Sequence, residues 1–276
     1  MSIVEHAYAK VNLVLRVGAP REDGLHPLCS IFVSVDLADR VIVERAAEDE
    51  VVCAGVEGPN LAAAAVSAFR AEVPELPPVR VTIEKRIPVA AGLAGGSADA
   101  AAVLRAAEKL SGAGLGSERL RRLATGIGSD VPSQVEARHA LVSGAGERVE
   151  PIELRPMSIV LLWSEEGLST RAVFRELDRL RGGSPASLLD PQALRGLAGA
   201  PLAELAGAVE NDLAPAATSL RPELAEAVES LLASGALAAQ VTGSGPTTFG
   251  IFGDRSSAVA AASQLDNAIV TEARRP

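Results

Sequence analysis

Gly92, Gly95, Gly96 and Ser97 have the types and spacing most suited to chemistry, inside P-V-A-A-G-L-A-G-G-S-A-D at residues 88–99. Glycines without Cβ atoms let the backbone turn tightly and approach a ligand closely. A loop of this kind opening a helix presents unsatisfied N–H groups and the positive end of a dipole, which suits a phosphate. Ser97 is expected to be the N-cap. No Gly-Lys-Ser/Thr follows, so the stretch is not a P-loop. Its G-x-x-G-G spacing also differs from the G-x-G-x-x-G of dinucleotide-binding folds, which opposes a dehydrogenase. Taken alone, the same residues fit an ordinary turn before a capped helix. Lys10 and Asn12 lie in A-Y-A-K-V-N-L-V-L-R-V, and Asp130 in G-S-D-V-P. Asp130 stands just before Val131-Pro132, where the bias against helix ahead of a proline predicts a rigid, extended display. The plainer roles are a solvated lysine on a sheet edge and an aspartate in a turn or cap.

The elements around these residues follow from periodicity. V-R-V-T-I-E before the glycine loop alternates as a half-buried strand does, and Val11, Leu13, Leu15 and Val17 line one face of an earlier strand. After the loop, Ala100, Val103, Leu104, Ala107 and Leu110 share a helical face. R-V-I-V-E near residue 40 predicts a strand, and the Ala-rich run 60–70 predicts a helix ended by prolines. Asp23-Gly24 signals a turn, and Ser117 is placed to cap a helix that Gly126 stops. M-S-I-V-L-L-W predicts a buried strand, and Ser169 caps the helix T-R-A-V-F-R-E-L-D-R-L-R. Residues 181–190 read as a mobile loop. Helices are expected near 191–199, 201–210, 222–233 and 256–265, and strands near 237–241, 247–252 and the A-I-V-T close to the end. A junction between Pro151 and Pro156 divides the chain into domains 1–153 and 154–276.

The 276 residues are 48% hydrophobic and 22% charged, but only 3% aromatic, so the core must be aliphatic. A formal charge of −9 argues against nucleic acid or an anionic membrane as partner. No apolar run is long enough to span a bilayer. The start of the chain lacks the pattern of a secretory signal. Cys29 and Cys53 have no redox or metal spacing, which fits a reduced cytoplasmic setting, and the three histidines form no zinc motif.

Three segments taken together resemble the three motifs of the GHMP small-molecule kinases, in their order and spacing. They are A-Y-A-K-V-N-L-x-L from Ala7, P-V-A-A-G-L-A-G-G-S-A-D-A-A from Pro88 and V-T-G-S-G-P-T-x-F-G from Val241. R-E-D-G-L-H-P-L, P-N-L near residue 60, G-S-D-V-P and N-D-L at 211–213 narrow the likeness to the branch acting on a cytidine-diphosphate-linked methylerythritol. The resemblance implies an α+β fold of two domains. The N-terminal one would resemble ribosomal protein S5 and bind ATP, and the C-terminal one would be ferredoxin-like. The implied reaction moves the γ-phosphoryl of Mg²⁺-ATP to the 2-hydroxyl of the methylerythritol, a step of the non-mevalonate route to isoprenoids.

The resemblance also implies roles. Asp130 accepts or orients the hydroxyl proton, and Lys10 holds it ionised and neutralises charge near the phosphoryl group, as an adjacent cation does. Pro88, Val89, Ala90, Ala91, Gly92, Leu93, Ala94, Gly95, Gly96, Ser97 and Ala98 wrap the triphosphate, with Ser97 near Mg²⁺. Asn12, His26, Thr170, Phe174, Gly243, Ser244 and Gly245 contact the substrate, His26 at the cytosine edge and Phe174 stacked on the base. Leu25 stands where the family usually has tyrosine, Ala98 replaces a second serine, and S-Q-V-E-A-R-H follows G-S-D-V-P in place of an aromatic and a glycine pair. These departures keep open a GHMP kinase for another small alcohol. A catalytically silent nucleotide binder is the other alternative, opposed by the presence of both Lys10 and Asp130. The expected partner is a small molecule, and the expected state a monomer or homodimer.

Overall fold

A computed structural model describes residues 2–274 except Asp23, Glu57, Pro59 and Pro185. The Asp23-Gly24 turn, the proline of P-N-L and part of the 181–190 loop therefore lie outside the described residues. In chain order the elements are β1 (Ser2–Val17), β2 (Leu28–Arg45), β3 (Glu50–Cys53), α1 (Leu61–Glu72), β4 (Val79–Glu84), α2 (Gly95–Ser111), α3 (Gly116–Thr125), α4 (Val131–Gln134), β5 (Ala140–Gly144) and β6 (Arg148–Pro151). They continue with β7 (Ser158–Leu162), α5 (Thr170–Arg181), α6 (Pro191–Arg195), α7 (Leu202–Gly207), β8 (Glu210–Asn211), α8 (Ala214–Leu220), α9 (Glu223–Ala233), β9 (Ala238–Val241), β10 (Thr248–Phe252), α10 (Arg255–Ala262) and β11 (Ala268–Glu272).

One compact unit takes Met1–Ala9, Leu37–Val89 and Ala94–Ala137. Its sheet pairs the C-terminal half of β2 antiparallel with β4, and β4 parallel with β3. Val79, Val81 and Ile83 point inward while Arg80 and Glu84 stay outside, the alternation read from V-R-V-T-I-E. Helix α2 packs against α1, α3 and α4. Its Ala98, Ala100, Ala101, Ala102, Ala106 and Ala107 are all buried, and such small side chains let neighbouring elements come close.

Three local expectations are corrected here. Ser97 is not the N-cap of α2. The helix begins two residues earlier, the cap position is Ala94 at φ 56°, and Ser97 lies inside the first turn. Glycines at the first two helical positions allow that early start. Ser117 likewise sits inside α3, whose cap position is Leu115, and the Gly116 N–H is accepted by the Glu108 carboxylate. Asp130 is not extended: it has φ −88°, ψ −14° at the start of α4. Proline is tolerated in the first turn of a helix, where its missing N–H has no intrahelical acceptor, and here it stays compatible with the helix.

The second unit takes Lys10–Asp36, Ala90–Leu93 and Arg138–Pro276. Val14 and Leu15 of β1 pair parallel with β8, the N-terminal half of β2 pairs with β5, and β5 forms a hairpin with β6. A separate antiparallel sheet runs β11-β7-β10-β9. Numbered by sequence within that sheet, the order is 4-1-3-2, which is the ferredoxin-like arrangement expected of the C-terminal half. Helices α9 and α10 pack on it over Val160, Leu231, Phe252, Ala258 and Ala261. Ser169 caps α5 as predicted, accepting from the Ala172 N–H.

Candidate active site

Lys10 is only 4% exposed, not a solvated edge lysine. The reason is that β1 is covered on both faces, with Ala9, Val11, Leu13 and Val14 all fully buried. Its Nζ donates to Asn12 Oδ1 at 2.6 Å and to the Gly92 carbonyl at 3.3 Å, and lies 4.9 Å from the Phe32 ring centroid. These contacts offset the cost of burying an ammonium. Lys10 and Asn12 share one face of β1 because their spacing is two. The Asn12 amide has a fixed orientation: its Nδ2 donates to Ser30 Oγ at 2.9 Å, so its oxygen is left toward Lys10.

Two glycine segments close around this lysine. Gly92 has φ +77°, and a Cβ there would sit 2.7 Å from the Gly245 carbonyl oxygen and 2.9 Å from that of Thr242. Gly243 has φ +57°, and its Cβ would lie 3.1 Å from the Gly92 carbonyl oxygen, with Lys10 Nζ and Asn12 Oδ1 next at 3.4 Å. Both positions thus need glycine for backbone conformation and for close approach. Asn211 holds the turn, donating through Nδ2 to the Val241 and Gly243 carbonyls at 2.8 Å each. Its place in N-D-L was visible in the sequence, but its contact with a turn some thirty residues later was not.

Helix α5 supplies a second group in the same unit. Thr170 Oγ1 lies 2.9 Å from Ser244 Oγ, and the Phe174 ring centroid lies 5.1 Å from that of His26. Asp178 Oδ1 is 2.9 Å from His26 Nε2. Thr170, Phe174 and Asp178 recur every four residues and so lie on one helix face. That spacing was the available signal for Asp178, which sequence reasoning missed. With Nε2 engaged by Asp178, Nδ1 is the other ring nitrogen of His26. Leu25 is 54% exposed and presents no ring.

Ser97 and Asp130 belong to the first unit, with Pro88, Val89, Ala94, Gly95, Gly96 and Ala98. Ala90, Ala91, Gly92 and Leu93 belong to the second. The first bond back within α2 is from the Ala98 N–H to the Ala94 carbonyl, so the amides of Gly95, Gly96 and Ser97 have no intrahelical acceptor. A Cβ on Gly95 would meet Ile87 Cγ2 at 3.0 Å. Amides at a helix start without an intrahelical acceptor are of the kind that can meet an anion. Asp130 is half-buried, and its carbonyl accepts from Ser133 Oγ at 2.8 Å. Among the described residues no group of three His, Cys, Asp or Glu is placed to hold a metal. The donor set fits magnesium carried on nucleotide phosphates with a hydroxyl such as that of Ser97, since that ion keeps few protein ligands. No helix among the described residues is long and apolar enough to cross a membrane.

Comparison with known proteins gives a consistent picture. Residues 60–137 match the GHMP kinases N terminal domain and residues 193–270 the GHMP kinases C terminal domain. A 4-diphosphocytidyl-2-C-methyl-D-erythritol kinase of Streptomyces coelicolor is 44% identical over 269 residues, 94% of this chain and 90% of that protein. One of Nocardia farcinica is 42% identical, covering 99% of this chain and 92% of that protein. A crystal structure of 4-(cytidine 5'-diphospho)-2C-methyl-D-erythritol kinase superposes with a TM-score of 0.82 at 34% identity, covering 99% of this chain and all of that one. A homoserine kinase from Cytophaga hutchinsonii shares the fold, with a TM-score of 0.69 at 16% identity and coverage of 99% and 94%.

Proposed function

The chain belongs to the GHMP kinases, and from that premise we propose that it phosphorylates the 2-hydroxyl of 4-diphosphocytidyl-2-C-methyl-D-erythritol with ATP. The observation that carries this reading is the convergence of three separated segments on Lys10. The strand A-K-V-N, the glycine loop at Gly92 and the turn at Gly243 all meet one buried ammonium. A fixed cation walled by glycine backbone offers charge where a phosphoryl transfer needs it.

In this reading the amides of Gly95, Gly96 and Ser97 bind phosphate oxygens at the start of α2, and residues 88–98 enclose the triphosphate. Bound Mg²⁺, met by Ser97, would neutralise charge on the phosphates. Lys10 stabilises charge on the transferred group. Asp130 takes or orients the proton of the acceptor hydroxyl. Asn12, Gly243, Ser244 and Gly245 orient the acceptor. Thr170, Phe174 and His26 hold the cytidine end, with His26 at the cytosine edge. We read residues 1–153 as the ATP-binding domain and 154–276 as the C-terminal one. The two family matches fall on either side of that division. A small-molecule substrate, no nucleic-acid partner and a cytoplasmic location complete the reading.

The test is ADP formation from Mg²⁺-ATP with the cytidylylated substrate, and the phosphorylated product identified by mass. Lys10→Met and Asp130→Asn are each expected to lower kcat by about 100-fold or more, the scale of a lost electrostatic or general-base contribution. Wild-type chain that binds Mg²⁺-ATP yet yields no product would reassign the acceptor. Full turnover by Asp130→Asn would remove that residue from the chemistry.

A further inference from the structure

Beneath the start of α2 lies a charged cluster that the proposed mechanism leaves without a task. Lys85, one residue beyond β4, donates through Nζ to Asp99 Oδ2 at 2.9 Å and to Asp39 Oδ2 at 2.5 Å. The other oxygen of Asp39 accepts the N–H groups of Arg86 and Ile87, at 2.5 and 2.8 Å. Asp39 and Asp99 are buried, at 0% and 3% exposure. Lys85 thus ties two stretches of chain together. Through Asp39 it fixes residues 86 and 87, which lead into the glycine segment, and through Asp99 it fixes the second turn of α2. Its Nζ is 3.3 Å from where a Cβ on Gly95 would stand, directly beneath the first helical residue.

The charges matter as much as the bonds. A carboxylate buried close to a helix start that must receive a polyanion would repel it. Lys85 supplies a compensating cation, and burial disfavours the ionised form of Asp99, whose pKa is pushed up to about 7 against the pull of Lys85. Burial also works against the Lys85 ammonium, but the neighbouring Asp99 and Asp39 outweigh it and keep its pKa raised. The cluster therefore ties the start of α2 to the exit of β4, with one ammonium shared between two buried carboxylates.

We infer that Lys85 is a positioning residue of the nucleotide site, strapping the start of α2 to the exit of β4 through Asp99 and Asp39. This rests on the reading that the α2 start binds the ATP phosphates. The experiment measures Mg²⁺-ATP affinity by calorimetry, and separate KM values for ATP and for the acceptor. The proteins are the full-length wild type, Lys85→Met, Lys85→Arg and Asp99→Asn. Lys85→Met is expected to raise the ATP Kd and KM about tenfold while the acceptor KM stays within about twofold, and Lys85→Arg to recover most of the loss. Equal ATP affinity in Lys85→Met and wild type would overturn the strap, as would equal rises in both KM values. If Lys85→Met does not fold, Asp99→Asn decides: it keeps the volume and one acceptor but loses the charge facing Lys85. A rise of about threefold or more in ATP Kd supports the strap, and no change overturns it. Wild-type chain that binds no Mg²⁺-ATP would instead remove the reading of the site on which the strap rests.

Discussion

Leu25, exposed and aliphatic, adds no ring to the pair formed by Phe174 and His26. A base stacked on an aromatic side chain gains about 1–3 kcal/mol. Leu25→Tyr is therefore expected to lower KM for the cytidylylated substrate about tenfold and to leave the ATP KM unchanged; an unmoved acceptor KM would place the base elsewhere. Asp99 permits a prediction in pH. Burial holds its folded pKa near 7, whereas an unfolded aspartate loses its proton at about 4. Between these values the folded state binds the extra proton, so this group's contribution is complete below about pH 4 and fades as pH rises to about 7, at up to about 1.4 kcal/mol per unit. Lys85 stays charged across that window, and the Cys53 thiol, raised by burial, stays neutral. Asp39 faces the same cluster, so the comparison with Asp99→Asn isolates the one group. In urea titrations the stability of wild type relative to Asp99→Asn should fall from pH 5 to 7 and then level off. A constant difference would mean that Asp99 is ionised throughout.

At the scale of the element, the start of α2 separates two roles for Ser97. Removing a capping side chain costs about 1 kcal/mol. Ser97 instead occupies the third helical position, where alanine is the better helix former by about 0.5 kcal/mol. Ser97→Ala should therefore match or slightly exceed wild type in its urea midpoint while losing turnover with Mg²⁺-ATP. A clear drop in stability would restore the capping role. The elements that periodicity foretold are those with a long, one-sided pattern: β4 by its alternation, α2 by its alanine face, α5 by its serine cap and buried Val173 and Leu177. Strands β3, β5, β6 and β8 and helix α8 were not legible. They span two to seven residues, and their pairing is set by partners far along the chain, such as β8 against Val14 and Leu15. Asp130 was misread because a rule about residues before proline met a helix start, where proline is at home.

The whole molecule shows why the candidate site was half legible. Its glycines, Lys10 and Asn12 stand out in short motifs, but Asn211 and Asp178 act only through distant contacts, with Gly243 and His26. The same long-range order bears on folding. The second compact unit includes Lys10–Asp36 and Ala90–Leu93 as well as the C-terminal half, while the ferredoxin-like sheet lies within residues 154–276. Cutting the chain there removes Leu15 and Val17 from the cluster of Val173, Leu177, Leu213, Ala216 and Leu224. It also removes the Val17 N–H from Asp212, and the carbonyls of Val17 and Gly18 from Arg181. Burial of two such aliphatic side chains contributes about 3–6 kcal/mol, against a total of about 5–15 for an ordinary domain. A fragment of residues 154–276 should therefore keep strand and helix signals in far-ultraviolet circular dichroism, bind a hydrophobic dye and unfold in urea without a sharp transition. A steep transition at the midpoint of the full chain would show instead that β1 contributes little to this half. The motif lysine and its asparagine would then owe their burial to the active site alone.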